Sequence, residues 1–545
     1  MRHLCIALAL ACAGALCACG GGGGSARTLP PPTSLPEVDT HAVPAADPGS
    51  PLPEGWMHGG LLQVYVRAYQ DSNGDGIGDL RGLIQRLPYI QQLGVAGIWL
   101  MPITRSQDRD HGYAVTDYRD IEADYGTLAD LDELLQQAHA RGLGVILDHV
   151  MNHSAALHPA FVNARAAGDN AYRDWYVWQG SHPAGWSVFG GDPWRANAQA
   201  GGGWYYAPFW DQMPDFNLRN PAVLAWHQDH LRFWLNRGVD GFRFDAVGNL
   251  IENGATAWES QPESRALMGQ VQALLARYTR RYLVCEAPGD PLGYAAPSAC
   301  GSAFAFGHHG NLVRAARGDT PALAAVAEHL RSAPATMATM LANHDSFAGD
   351  RLWNQLAGNS VQMKLAAAML LLGPGVPFIY YGEEIGMARA PSLSGDAGLR
   401  TPMSWSADAQ PAGFTTGTPF RALAGNVATH NVAAQEADPA SLLAHYRSLL
   451  ALRKATPALA RGNTADVAAS GTLLRFRREL AGDALLVAVN TGSSGAVAQH
   501  QGLAPGACFA AVWPLADPAP VCADAAGRLP LNVPAYTAVA WRRGP

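Results

Sequence analysis

The chain has 545 residues, 48% of them hydrophobic and 15% charged. That length exceeds one small core and suits two or three domains, and that composition excludes wholesale disorder. A formal net charge of −7 gives no electrostatic case for nucleic acid or an anionic membrane surface as the main ligand.

Residues 1–19 read as an export signal. Arg2 and His3 precede an apolar run from Leu4 to Ala18, too short to span a bilayer as a mature helix. The run ends Leu16-Cys17-Ala18-Cys19-Gly20, which resembles a bacterial lipobox, although Cys17 is less usual in its position. A lipidated Cys19 would anchor the exported protein at a bacterial membrane, with the outer membrane as the expected one. The Gly- and Pro-rich stretch 20–53 then reads as a flexible tether.

From residue 60 to about 390, short apolar runs alternate with helical stretches, as buried parallel strands do. The runs are Leu61–Tyr69, Val95–Ile103, Leu143–His149, Val239–Val247, Tyr282–Ala287, Ser302–Phe306, Met337–Asp345 and Val376–Glu384. Helical segments such as Thr127–Arg141 and Asn220–Arg237 lie between them. Eight such units predict an α/β fold, a (β/α)8 TIM barrel. The stretch 154–218, rich in Gly, Pro and Trp, is too long for an ordinary connection and reads as a domain inserted after strand 3. Its Trp186, Trp194, Trp204, Tyr205, Tyr206 and Trp210 suit a small core first and sugar stacking second. The barrel thus spans 54–153 and 219–462. Short strands with Gly and Pro turns over 463–545 predict a C-terminal antiparallel β-sandwich domain.

Four of the eight cysteines lie in the first nineteen residues. The others form close pairs, Cys285 with Cys300 and Cys508 with Cys522, which are disulfide candidates in an oxidising compartment. A buried free thiol beside Glu286 is the alternative for Cys285.

In such a barrel the catalytic groups sit at the C-terminal ends of strands. Here those ends read Asp148-His149-Val150-Met151-Asn152-His153, then Gly241-Phe242-Arg243-Phe244-Asp245, then Cys285-Glu286, then Asn343-His344-Asp345. Barrel closure brings them around one mouth. Glycoside hydrolysis needs two carboxyl groups flanking the scissile bond, and a third nearby raises the acid's pKa. Arg243 lies two residues before Asp245, so on a strand both face one side, where the cation keeps the nucleophile ionised.

These motifs resemble the α-amylase family, glycoside hydrolase family 13, over about residues 60–460. Met213-Pro214-Asp215-Phe216-Asn217 resembles the group between oligo-1,6-glucosidases and neopullulanases, which includes bacterial lipoprotein α-amylases. The resemblance implies a retaining mechanism with Asp245 as nucleophile, Glu286 as acid and then base, and Asp345 completing the catalytic set. Tyr113, in Asp110-His111-Gly112-Tyr113, would be the stacking platform. His153, Arg243 and His344 would bind the substrate. The resemblance also makes Asp71-Ser72-Asn73-Gly74-Asp75-Gly76-Ile77-Gly78-Asp79 a structural Ca2+ loop. Asp71, Asn73, Asp75 and Asp79 would bind by side chain and Ile77 by its carbonyl. Asn152 and Asp215 could serve a second ion. Arg400-Thr401-Pro402-Met403 matches a segment read as structural.

Two departures bear on specificity. Relatives that trim chain ends often carry Asp where this chain has Ala114, which favours an open cleft and internal cutting. Gly248 and Asn249 replace a Lys-His pair, which weakens the expected grip on leaving-side sugars. The leading expectation is therefore a monomeric, endo-acting α-1,4-glucan hydrolase on starch, glycogen or maltooligosaccharides. The alternatives are an exo-acting α-glucosidase, a maltose- or trehalose-forming transglycosylase, and a glycan-binding lipoprotein.

Overall fold

The computed structural model describes residues 35–408, 411–514 and 517–544. The expected signal peptide, lipobox and Cys19 lie outside the described residues.

Seven strands form one parallel sheet. In spatial order they are Tyr282–Cys285, Gly241–Asp245, Gly144–Val150, Gly97–Leu100, Leu61–Val64, Val376–Tyr380 and Ala338–Thr339. Every residue of these strands is buried. That is why they read as continuous apolar runs rather than alternating ones. The predicted sixth strand, Ser302–Phe306, is reduced to two parallel bridges, Cys285 with Ala303 and Phe304 with Ala338. Those bridges close the ring. The Phe304 ring fills the barrel, 5.4 Å from Trp99 and 4.9 Å from Phe378.

Trp56 plugs the barrel's other end. A Cβ on Gly97 or Gly144 would lie 2.5 or 2.6 Å from its ring, so only glycine fits there. Helices Leu80–Leu93, Leu128–His139, Pro221–Asn236 and Ser360–Leu372 pack around the outside. Asp79, Thr127, Asn220 and Asn359 cap their first turns.

The expected tether 20–53 needs correction. From residue 36 onward it is a strap laid along the barrel. Its carbonyls at Pro36, Asp39, Val43, Pro44 and Leu52 accept from Asn163, Trp226, Arg232, Asn236 and Arg280. Asp47 accepts from Thr279 in turn.

The insert carries helix Pro159–Ala166 and a sheet of Trp178–Gln179, Trp204–Tyr206 and Trp194–Ala196. Trp194 and Tyr206 form its own small core, with Trp186 against them. Arg173 sits 3.4 Å over Trp178. Most of the insert's aromatics are therefore structural, as expected. The C-terminal domain is a six-stranded antiparallel sheet faced by the pair Ala496–His500 and Leu529–Val533. Both candidate disulfides are formed, Cys285–Cys300 and Cys508–Cys522.

Candidate active site

Parallel register brings the polar strand ends together: Asp148 lies opposite Arg243, and Val150 opposite Asp245. Glu286 follows the last residue of the neighbouring strand, and its N–H donates to the Phe244 carbonyl. Arg243 is the centre of the cluster. Its Nη1 donates to Asp148 at 2.8 Å and to Asp245 at 2.7 Å, and its Nη2 meets Glu286 at 2.6 Å. Burial works against the guanidinium's charge, but Asp148, Glu286 and Asp245 outweigh it and hold the pKa above the usual arginine value. Replacing Arg243 with Gln leaves three buried carboxyls without their cation. That is expected to cost about 3–5 kcal/mol of folding stability. Chemical denaturation measures it, and a loss under about 1 kcal/mol contradicts this account of the cluster.

The Glu286 carboxyl is pushed well above the ordinary glutamate range, chiefly by burial and further by the charges of Asp245 and Asp345. Asp345 and Asp148 are raised too, again mainly by burial. The pocket therefore holds a protonated acid beside ionisable partners, the arrangement general acid catalysis needs.

A second network orients Tyr113. Gln63 donates to His344 Nδ1 at 2.7 Å, which leaves the proton on Nε2. That nitrogen faces Tyr113 Oη at 2.6 Å and Asp345 at 3.1 Å. Tyr113 donates onward to Asp148, and its ring stacks on His344. His344 has no exposed surface, and burial keeps it neutral. It therefore stands behind Tyr113 and holds it. His153 differs: its Nε2 is buried with no protein partner and suits a hydroxyl.

Three contributors escaped the sequence reading. Arg400, in a segment expected to be structural, donates to Asp345 at 2.7 Å and to the His344 carbonyl. Arg421 donates to both carboxylate oxygens of Asp110, at 2.9 and 2.8 Å, and to the Arg400 carbonyl. Tyr65 donates to Asp110 from the other side. Ion pairs and a hydrogen bond thus link Asp345, through Arg400 and Arg421, to Asp110, three residues before Tyr113. Ala114 is fully buried in the core and does not line the cleft, so its expected role in opening the cleft fails.

The loop 71–79 is closed by its own backbone. Asp71 accepts from Asn73, Gly74 and Gly76, and Asp79 caps Gly82. Alternating carboxylate, amide and carbonyl oxygens fit a hard cation in kind. Among the described residues, however, no group of three or more His, Cys, Asp or Glu side chains is arranged to hold a metal. The amide of Asn73 and the carbonyl of Ile77 would have to complete any site. Asn152 and Asp215 do meet, at 2.9 Å.

Residues 63–462 match the family model for the α-amylase catalytic domain. The chain belongs to the α-amylase family. A probable α-glucosidase of Rhizobium meliloti (strain 1021) is 35% identical over 480 residues, covering 78% of this chain and 87% of that one. An oligo-1,6-glucosidase of Parageobacillus thermoglucosidasius is 32% identical over 510 residues, covering 80% and 90%. The solved α-glucosyl transfer enzyme XgtA superposes with a TM-score of 0.76 at 29% identity, covering 90% of this chain and all of its own. As an α-amylase family member the chain is a glycoside hydrolase by kinship. These relatives carry the names of two glucosidases and a glucosyl transfer enzyme, and none of the three is named a starch-cleaving amylase.

Proposed function

We propose that the protein is an exo-acting α-glucosidase that removes terminal glucose from short α-glucosides by double displacement. Asp245 attacks the anomeric carbon while Glu286 protonates the departing oxygen. Glu286, now a carboxylate, then takes a proton from the water that releases glucose from Asp245. The observation that carries this reading is Arg243, which holds Asp245 and Glu286 together. A shared guanidinium favours the close pairing, about 5 Å, over the roughly 6.5–9.5 Å an inverting pair needs for its water. Asp345 raises the acid's pKa and, with His153, offers polar atoms to the ring hydroxyls. Tyr113 forms the platform.

The ion pairs of Arg421 with Asp110 and of Arg400 with Asp345, set beside Tyr113, support exo action, since they would bound a subsite for a terminal sugar. The names of the relatives support the same reading. Transfer of the glucosyl group to another sugar is the second reading, favoured by the likeness to XgtA. It uses the same intermediate with a hydroxyl in place of water.

Ca2+ at Asp71, Asn73, Asp75, Ile77 and Asp79 would stiffen the loop that packs under residues 414–420 through Phe414, Thr415 and Phe420. Saturation a hundredfold above Kd would add about 2.7 kcal/mol. Melting with EDTA and then with restored Ca2+ tests it. A Tm that does not move in either step contradicts the site.

The leader and Cys19 support export with lipid attachment, and two disulfides suit the oxidising compartment that export reaches. Palmitate labelling that survives Cys19→Ala contradicts that anchor.

The function itself is tested on soluble starch and maltoheptaose. Glucose should be the first product, with reducing ends rising while iodine colour persists. Collapse of iodine colour before many reducing ends form would show internal cutting and overturn the exo reading.

A further inference from the structure

The catalytic acid delivers its proton to the leaving sugar, so that sugar lies on the side of Glu286 away from the Arg400 and Arg421 ion pairs. The loops following the fourth and fifth barrel strands border that side. Val247 N–H donates to the Glu286 carbonyl, and Ser260 N–H donates to the Gly248 carbonyl at 2.7 Å. The second contact folds the loop of residues 250–260 back onto Gly248, three residues after Asp245. The Glu259 side chain fills the gap between the two loops. A Cβ on Gly289 would lie 2.7 Å from its carboxylate, and one on Gly248 would lie 3.6 Å away. Lys-His is absent after the nucleophile, and Glu259 lies where a side chain at Gly248 would extend.

The residue before Glu259 belongs to an aromatic bridge. Trp258 meets Phe189 of the insert edge to face, with centroids 5.1 Å apart. Phe189 meets Phe209 at 5.2 Å, and Phe209 meets His153 of the catalytic pocket at 5.3 Å. Phe189 is 58% exposed and Phe209 39% exposed. Exposed rings grouped beside a catalytic pocket mark a surface that a ligand covers. Phe189 and Ser260 also hold positive φ, 50° and 55°, without being glycine. Such backbone is sparsely populated and clusters at binding sites. A pyranose offers what this pair of features recognises: an apolar ring face for the aromatics and hydroxyl donors for the carboxylate.

We propose that Phe189, Trp258 and Glu259 form the subsite for the leaving sugar, and for the incoming sugar when the glucosyl group is transferred. The inference rests on the exo-glucosidase reading and adds its leaving-side specificity. Phe189 of the insert meets Trp258 of the loop that carries Glu259, so the insert helps set which acceptor is held.

The test compares two donors in the full-length protein. Maltose places a glucose in this subsite, whereas α-glucosyl fluoride leaves it empty. For Phe189→Ala, Trp258→Ala and Glu259→Gln, the ratio of kcat/KM for maltose to kcat/KM for the fluoride should fall about tenfold, roughly the weight of one aromatic contact. With the fluoride as donor and added glucose as acceptor, the ratio of transfer to hydrolysis should fall as well. Glu259→Gln keeps the side chain's shape and guards against variants that misfold. Ratios within twofold of wild type in all three variants, at an unchanged Tm, overturn the subsite. A wild type inactive on both donors overturns the function reading, and the subsite with it.

Discussion

Asp245→Asn is expected to abolish turnover on every α-glucoside, with kcat falling on the order of 10^4-fold or more, because the amide cannot form the glucosyl bond. The fold should survive. Asn keeps the shape that accepts from Arg243 Nη1, and Asp148 and Glu286 keep their contacts with that guanidinium. The loss should be the same for maltose and for α-glucosyl fluoride, since both need the nucleophile. Residual turnover within about a hundredfold of wild type, in protein of normal Tm, would move the nucleophile elsewhere.

Glu286→Gln should behave differently, and the difference identifies the acid. Loss of a general acid costs about 10^2–10^4-fold where the leaving group needs a proton. Maltose should show that loss, while release of fluoride, which needs no protonation, should be far less affected in the first step. The pH profile gives a second signature. Glu286 must be protonated to act, so activity falls as pH rises through its pKa. Burial, Asp245 and Asp345 all raise that pKa. The alkaline limb of kcat/KM should therefore lie well above the ordinary glutamate value of about 4.3. Asp345→Asn removes one of the raising charges and should move the limb down. An upward move would contradict the assigned electrostatics.

Much of the site was legible because buried parallel strands are mostly apolar, so Asp148, Asp245 and Glu286 stood out at or near the point where each run stopped. Arg243 was legible through the two-residue period of a strand. The ion pairs beside Tyr113 were not. Asp110 and Arg421 are 311 residues apart, and no local pattern marks a pair that only the fold brings together. Ala114 misled for the same reason: its identity was visible, but its burial was not. The strap after residue 35 was misread because it offers mainly backbone carbonyls, while the side chains that hold it, such as Trp226 and Asn236, lie on barrel helices. The sixth strand was weak in sequence and is weak in structure, since two bridges suffice where Phe304 packs inward. Glu259 gave no signal, because a lone acid in a loop is ordinary until Gly248 and Gly289 are seen to make room for it.

The central claim is double displacement at Asp245, assisted by Glu286. Proton NMR of the first minutes of hydrolysis, before mutarotation equilibrates the product, tests it most directly. The account predicts that glucose appears first as the α-anomer and that the β-anomer follows only by mutarotation. Initial release of β-glucose would mean a single displacement by water, and would contradict the assignment of Asp245 as nucleophile.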